Sequence, residues 1–102
     1  MGQIYTTNEI REKLLPIFNT IPLEKAILFG SYAKGNPTSS SDIDIVIDSS
    51  GRIKGIDFFG VLEDMTEALG KPIDLIEASQ IIRGGKLQRA IEETGVIIYE
   101  RT

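Results

Sequence analysis

The chain has 102 residues, eleven Lys and Arg against fifteen Asp and Glu, a net charge of −4, and neither Cys nor His. With no thiol and no imidazole, disulfide frameworks, Cys- or His-based zinc sites, Cys nucleophiles and Ser-His-Asp triads are excluded, so chemistry must run on carboxylates, hydroxyls, Lys, Arg and oxygen-liganded metals. At 41% apolar and 25% charged residues, the composition is that of one globular domain over residues 1–102, and its acidity disfavours nucleic acid as a partner.

Thr6 or Thr7 caps a helix beginning near Asn8, with Glu9 in its first turn and Ile10, Leu14, Ile17, Phe18 and Ile21 at helical spacing. Pro16 has no N–H, so this helix is expected to kink or end near it. Lys25 to Phe29 reads as a short strand running straight into Gly30-Ser31, and residues 35–41 as a loop. Asp42 to Asp48 alternates, with Ile43, Ile45 and Ile47 facing a core and Asp42, Asp44 and Asp48 facing away; Val46 alone is apolar on the acidic side. A second helix follows Asp57 as N-cap, with Phe58, Leu62, Met65 and Leu69 on its inner stripe. Gly70 ends it and Pro72 forbids its continuation. Pro72 to Glu77 is a third strand. Ser79 caps a last helical segment that Gly84-Gly85 breaks and Lys86 to Glu93 resumes, with Leu87, Ala90 and Ile91 inward. Gly95 ends it, and Val96 to Tyr99 is a fourth strand.

The order αββαβαβ predicts an α/β domain, a small mixed sheet flanked by helices. No apolar run approaches the ~18 residues of a membrane span. The N-terminus lacks the apolar stretch of a secretory signal, so a cytoplasmic protein is expected. Met1-Gly2 fits an N-acylation pattern, a weak signal on its own.

The informative stretch is Gly30 to Asp44. Carboxylates at i and i+2 of a strand share a face, their Cα atoms roughly 6.5 Å apart. In a low dielectric they repel, and a bound cation relieves this. Mg²⁺ favours such oxygens and takes further ligands from substrate phosphates, and two-metal phosphoryl transfer is built on carboxylates that hold ions side by side. Gly30 allows a polyphosphate to approach the backbone closely. Ser31 offers a hydroxyl and an N–H, a helical turn over residues 31–34 would present free N–H groups to an anion, and Lys34 is near enough to touch a phosphate. A Gly-Ser pair alone is ordinarily a turn, and Asp-x-Asp alone is ordinarily a solvated strand face. The joint pattern arises by chance in roughly one chain of this length per several hundred, which makes the combination the signal.

Gly30-Ser31, ten residues, then Asp42-x-Asp44 resembles the signature of the DNA polymerase β-like nucleotidyltransferases. Residues 25–48 resemble more narrowly the stand-alone minimal nucleotidyltransferases, which in prokaryotes are typically encoded beside a HEPN-domain protein. The resemblance runs over about residues 8–100, with its specific part at 27–48. It implies a third metal-binding carboxylate on a later strand, a position Asp74 matches and for which Asp48 is the second choice. Asp57 and Asp64 read instead as a helix cap and a solvated helix face, and Glu77 as surface. The resemblance further implies a nucleoside triphosphate, expected to be ATP, and two Mg²⁺ ions. Asp42 and Asp44 would bridge both ions, Asp74 would hold the catalytic one, and Gly30 and Ser31 would hold the β- and γ-phosphates.

Larger relatives carry an extra domain that grips the acceptor. None is expected here, so the resemblance points to an acceptor supplied from elsewhere: a tyrosine of a HEPN toxin, an RNase silenced by adenylylation, with this chain as its antitoxin. The alternative is a non-catalytic antitoxin that neutralises its partner by covering it, a role for which the carboxylates are unnecessary. Arg83, Lys86 and Arg89 form the only basic cluster, read as a solvated helix side or as a face for an acidic or phosphate-bearing partner. Tyr5, Tyr32 and Tyr99 read as packing residues.

Overall fold

Local signals start and stop each element before packing decides which face it buries. The computed structural model describes residues 4–101; the Met1-Gly2 pattern lies outside the described residues. In chain order the elements are α1 (Thr7–Phe18), β1 (Lys25–Phe29), α2 (Gly30–Lys34), β2 (Ile43–Asp48), α3 (Ile56–Leu69), β3 (Ile73–Glu77), a 3-10 turn (Ala78–Gln80), α4 (Lys86–Thr94) and β4 (Val96–Glu100). Thr6 starts α1 through a reciprocal capping box: Glu9 N–H donates to Thr6 Oγ1 at 3.1 Å, and Thr6 N–H donates to Glu9 Oε1 at 2.8 Å.

The strands form one mixed sheet in the order β3-β2-β1-β4. β1 is antiparallel to both β2 and β4, whereas β2 and β3 are parallel. A parallel pair needs a long crossover, which α3 supplies. Opposite Ala26 and Ile27 the pairing jumps from Tyr99 to Ile97, so Ile98 is the extra residue of a bulge in β4.

Strand parity then sorts the side chains. One face carries Ala26, Leu28, Ile43, Ile45, Ile47 and Ile98, all buried, against Ile10, Leu14 and Phe18 of α1 and Val61, Met65 and Leu69 of α3. Each large apolar side chain so buried contributes about 1.5–3 kcal/mol. The opposite face carries the acidic residues of β2. Val46 belongs to that face and is still buried, because it shares a groove with Ile27, Ile81 and Ile91, where α4 covers that part of the sheet. The end of the face nearer Asp44 is left open.

Several expectations need correction. α1 runs past Pro16 to Phe18, since Pro16 sits on the exposed side, Phe18 is fully buried, and Asn19 N–H closes the end on the Leu15 carbonyl at 3.0 Å. Asp57 is not the cap of α3. Gly55, at φ 61°, precedes the helix, and Asp57 lies in its first turn, where a negative charge suits the helix dipole. The buried stripe of α3 contains Val61, while Phe58 and Leu62 are half-buried. Glu77 is not on the surface: it is 3% exposed, and its side chain, not that of Ser79, caps the 3-10 turn by accepting the Ser79 N–H at 2.7 Å. The tyrosines do pack: Tyr5 donates to the Leu69 carbonyl at 2.6 Å, Tyr99 stacks obliquely on Phe18 with centroids 5.3 Å apart, and Tyr32 is buried. No helix of the described residues is long and apolar enough to cross a membrane.

Candidate active site

The register between β2 and β3 builds the site. Ile43, Ile45 and Ile47 must face the core, so Asp44 must face away, and the parallel pairing sets Asp74 directly beside it. Neighbouring strands lie about 4.8 Å apart, so two carboxylates at one register position are in contact distance. On the other flank, Asp44 pairs with Phe29, the last residue of β1. The chain then turns at once into α2 through Gly30, which has φ 74°. That conformation favours glycine, and here there is a second reason for it: a Cβ on Gly30 would run into the Asp44 carboxylate. Sheet, turn and carboxylate therefore meet with no room for a side chain. Asp44 and Asp74 line an open cleft of about 490 Å³ with Phe29, Leu62, Ile73 and Leu87.

Electrostatics mark the same place. The Asp44 carboxyl is pushed up to about 6, first by burial, then by a hydrogen bond to Asp74 and by the charges of Asp74 and Asp42. Neither Asp44 nor Asp74 meets a Lys or Arg among the described residues, whose ion pairs are Lys25–Glu100, Arg52–Glu24 and Arg101–Glu24. Asp74 is exposed, on the edge strand, so a buried structural ion pair does not account for it.

Of the sequence-predicted residues, the structure thus brings together Gly30, Asp44 and Asp74. Asp42 is exposed just before β2; it adds charge, but no three acidic side chains form a ready-made metal cage among the described residues. Ser31 is half-buried in the first turn of α2, which has no side-chain cap. Lys34 is exposed at the far end of that helix, about 6 Å further along its axis than Gly30. Asp48 is four residues along β2 from Asp44, about 13 Å away, where it accepts the Ser50 N–H at 3.1 Å as a turn residue. Asp57 and Asp64 are exposed on α3, and Arg83, Lys86 and Arg89 are exposed as expected.

One residue escaped the sequence reading. Lys71, between Gly70 and Pro72, is 4% exposed; its Nζ donates to the Ser39 carbonyl at 3.2 Å and lies 6.0 Å from the centre of the Tyr32 ring. A lysine in a Gly-Lys-Pro linker gives no periodic signal of burial.

The donor set suits a hard divalent cation. Two carboxylates side by side without a cationic neighbour among the described residues, one of them reluctant to ionise, would be relieved by an oxygen-loving ion.

Comparison with known proteins bears on family and fold. Residues 12–102 match the family described as "Polymerase beta, Nucleotidyltransferase". A Methanocaldococcus jannaschii protein named "putative protein adenylyltransferase" is 32% identical over 74 residues, 72% of this chain and 80% of the relative. Among solved structures, a chain from a toxin–antitoxin crystal structure with AMP-PNP superposes with a TM-score of 0.77 at 21% identity, covering 90% of this chain and 74% of that one. A chain from the complex of a tri-AMPylated Shewanella oneidensis HEPN toxin with an MNT antitoxin gives 0.72 at 20% identity, covering 94% and 74%. At those identities the structural likeness is one of fold.

Proposed function

This chain belongs to the polymerase β nucleotidyltransferase family, and from that premise we propose that it is a single-domain cytoplasmic enzyme that transfers AMP from ATP, with Mg²⁺, to a hydroxyl of a partner protein. The partner is a HEPN-domain toxin, the acceptor a tyrosine, and this chain the antitoxin. The observation that carries the reading is the Asp44–Asp74 pair set against Gly30, a repulsive arrangement that a fold does not need for its own sake. The name of the M. jannaschii relative and the AMPylated toxin beside an MNT antitoxin support the choice of reaction and acceptor.

Asp42, Asp44 and Asp74 would hold two Mg²⁺ ions, which when bound neutralise phosphate charge and acidify the acceptor hydroxyl. Gly30, having no Cβ, lets the backbone that presents Ser31 lie directly against the Asp44 carboxylate. Ser31 hydrogen-bonds the β- and γ-phosphates through its hydroxyl and N–H. Lys34 adds a long-range positive charge from solvent. The acceptor oxygen bonds to the α-phosphorus as the bridging α–β P–O bond breaks, pyrophosphate leaves with the electron pair, and Asp74 takes the hydroxyl proton. Catalysis is mainly charge placement and in-line positioning.

The test is to incubate the purified chain with Mg²⁺, ATP labelled at the α-phosphate and the HEPN-domain protein encoded beside it. The expected result is label and mass of one AMP on a partner tyrosine, lost with Asp44→Asn. An intact complex that never gains AMP, and a partner silenced equally by Asp44→Asn, would establish the binding-only antitoxin instead.

A further inference from the structure

Lys71 is a buried cation that the chemistry above does not use. Transferring an ammonium out of water is expensive unless an anion or several acceptors meet it. Among the described residues no carboxylate lies within 4.0 Å, and its hydrogen bond goes to one carbonyl, that of Ser39. Its surroundings are specific. Tyr32, under the ammonium, follows Ser31 on α2. Ser39 stands three residues before Asp42. Lys71 itself stands three residues before Asp74, and next to it the Pro72 carbonyl accepts the Ile43 N–H at 3.4 Å. One ammonium therefore touches the three segments that carry Ser31, Asp42 and Asp74. The loop between them is otherwise tied internally, with the Thr38 N–H on Ser41 Oγ at 2.9 Å and the Ser41 N–H on the Thr38 carbonyl at 3.0 Å. Across residues 37–41, the Lys71 bond is the tie to another element among the described residues.

We propose that Lys71 is a positioning residue for nucleotidyl transfer: its buried ammonium pins the loop through the Ser39 carbonyl, so that Ser31 and Asp42 stand in register with Asp74 when metal and triphosphate load. The proposal rests on the function proposed above. It also gives the Lys71 charge a role: Asp42 stands outside any three-carboxylate cage among the described residues, and a loop held at one point keeps Asp42 near Asp44 and Asp74.

The experiment uses the full chain with Lys71→Met, which keeps the stem and removes the ammonium, and Lys71→Arg, which restores a cation. Ser39 is exposed, so its carbonyl turns to water and the fold loses little. In Lys71→Met, calorimetry should show MgATP affinity falling about tenfold, the scale of one charge-assisted hydrogen bond. The nucleotide-free thermal midpoint should not fall, because the one hydrogen bond lost is offset by removing a charge that has no carboxylate partner among the described residues. Lys71→Arg should recover affinity to within about threefold of the parent. Amide exchange over residues 36–42 in nucleotide-free Lys71→Met should rise about tenfold while β1 and β4 keep their protection. Unchanged MgATP affinity in Lys71→Met overturns the proposal, as does a joint fall of affinity and thermal midpoint with protection lost across the sheet, the mark of a merely structural lysine. A parent chain that fails to bind MgATP overturns the proposed function instead, and the exchange of residues 36–42 still decides whether Lys71 pins the loop.

Discussion

The parallel pair β2–β3 handles acidic side chains in opposite ways at its two ends. At one end Glu77 turns into the core-facing side, and the chain following β2 comes to meet it: Ser49 donates its N–H at 2.9 Å and its hydroxyl at 2.5 Å, and the Ser79 N–H adds a third bond at 2.7 Å. Burial alone would raise the Glu77 carboxyl, but the bonds from Ser49 and Ser79 overcome it and hold the group down at about 2. At the other end, Asp44 and Asp74 stand side by side with no cationic partner, and Asp44 is pushed up to about 6. Carboxylates in one small sheet thus depart from their ordinary range in opposite directions. The difference is the supply of donors. Where the fold needs a carboxylate it provides N–H and O–H groups; at the proposed site the donors are withheld, an arrangement that a cation from solution would relieve.

The sharpest way to break this contrast is to remove one charge at each end. Asp74→Asn keeps the shape and deletes a charge that has no partner. Transfer of AMP should fall by about 100-fold or more, the scale of losing an electrostatic contact made in the transition state, while the metal-free thermal midpoint stays level or rises. Unfolding instead would mean that Asp74 is structural after all. Glu77→Ala should do the reverse, stranding donors on Ser49 and Ser79. Denaturant unfolding should show a loss of about 2–4 kcal/mol, with Glu77→Gln costing less because its amide oxygen still accepts. A loss below about 1 kcal/mol would remove Glu77 from the frame of the fold.

The residues that were legible in the sequence are those whose face is decided by a period of two. Ile43, Ile45 and Ile47 alternate with Asp42, Asp44 and Asp48, and no register error could turn that strand over without burying acids. Gly30 was legible through its spacing to Asp42-x-Asp44, but its crowding by the Asp44 carboxylate was not, because that contact depends on how β1 and β2 pair. The Asp44–Asp74 pairing was reachable only through resemblance, since the parallel register spans an intervening helix and nothing local encodes it. Glu77 was misread because its charge suggested water. Its parity with Ile73 and Leu75 pointed inward, and the donors that make this tolerable sit on Ser49, 28 residues upstream. Lys71 carried no local signal, because its burial is created by the loop that folds over it.

Acidity offers a gentler test, because the two ends should lose stability in opposite directions. Asp44 has a folded value above the ordinary 3.8, so its contribution is present below pH 3.8 and is lost as pH rises through about 6. Glu77 has a folded value below the ordinary 4.5, so its contribution is present above pH 4.5 and is lost as pH falls through about 2. In EDTA, the parent's thermal midpoint should drop between about pH 4 and 6 relative to Asp44→Asn, and added Mg²⁺ should cancel that drop. Below pH 4.5 the parent should fall faster than Glu77→Gln. A parent whose midpoint tracks Asp44→Asn from about pH 4 to 6 would mean that the Asp44–Asp74 repulsion is relieved without a metal.

The smallest effect concerns Tyr32, whose hydroxyl is buried without a hydrogen-bond partner among the described residues. It sits on the side of the proposed site, one residue after Ser31 and beneath Lys71, whereas at the Glu77 end the buried side chains of Ser49 and Glu77 are hydrogen-bonded. If unmet polar groups gather where the fold serves chemistry, deleting this hydroxyl should be harmless to folding. Tyr32→Phe keeps the ring, its packing and the ammonium above it, and removes an oxygen that lost its water on folding. An unpartnered buried hydroxyl is a cost, so the variant should be neutral or more stable by up to about 1 kcal/mol. MgATP affinity should stay within about twofold, since the cation–π contact depends on the ring and not on the oxygen. A stability loss above about 1 kcal/mol would show that the hydroxyl has a partner in solution. A selective loss of MgATP affinity at unchanged stability would instead make that oxygen a ligand-side group, held unpaired until the triphosphate arrives.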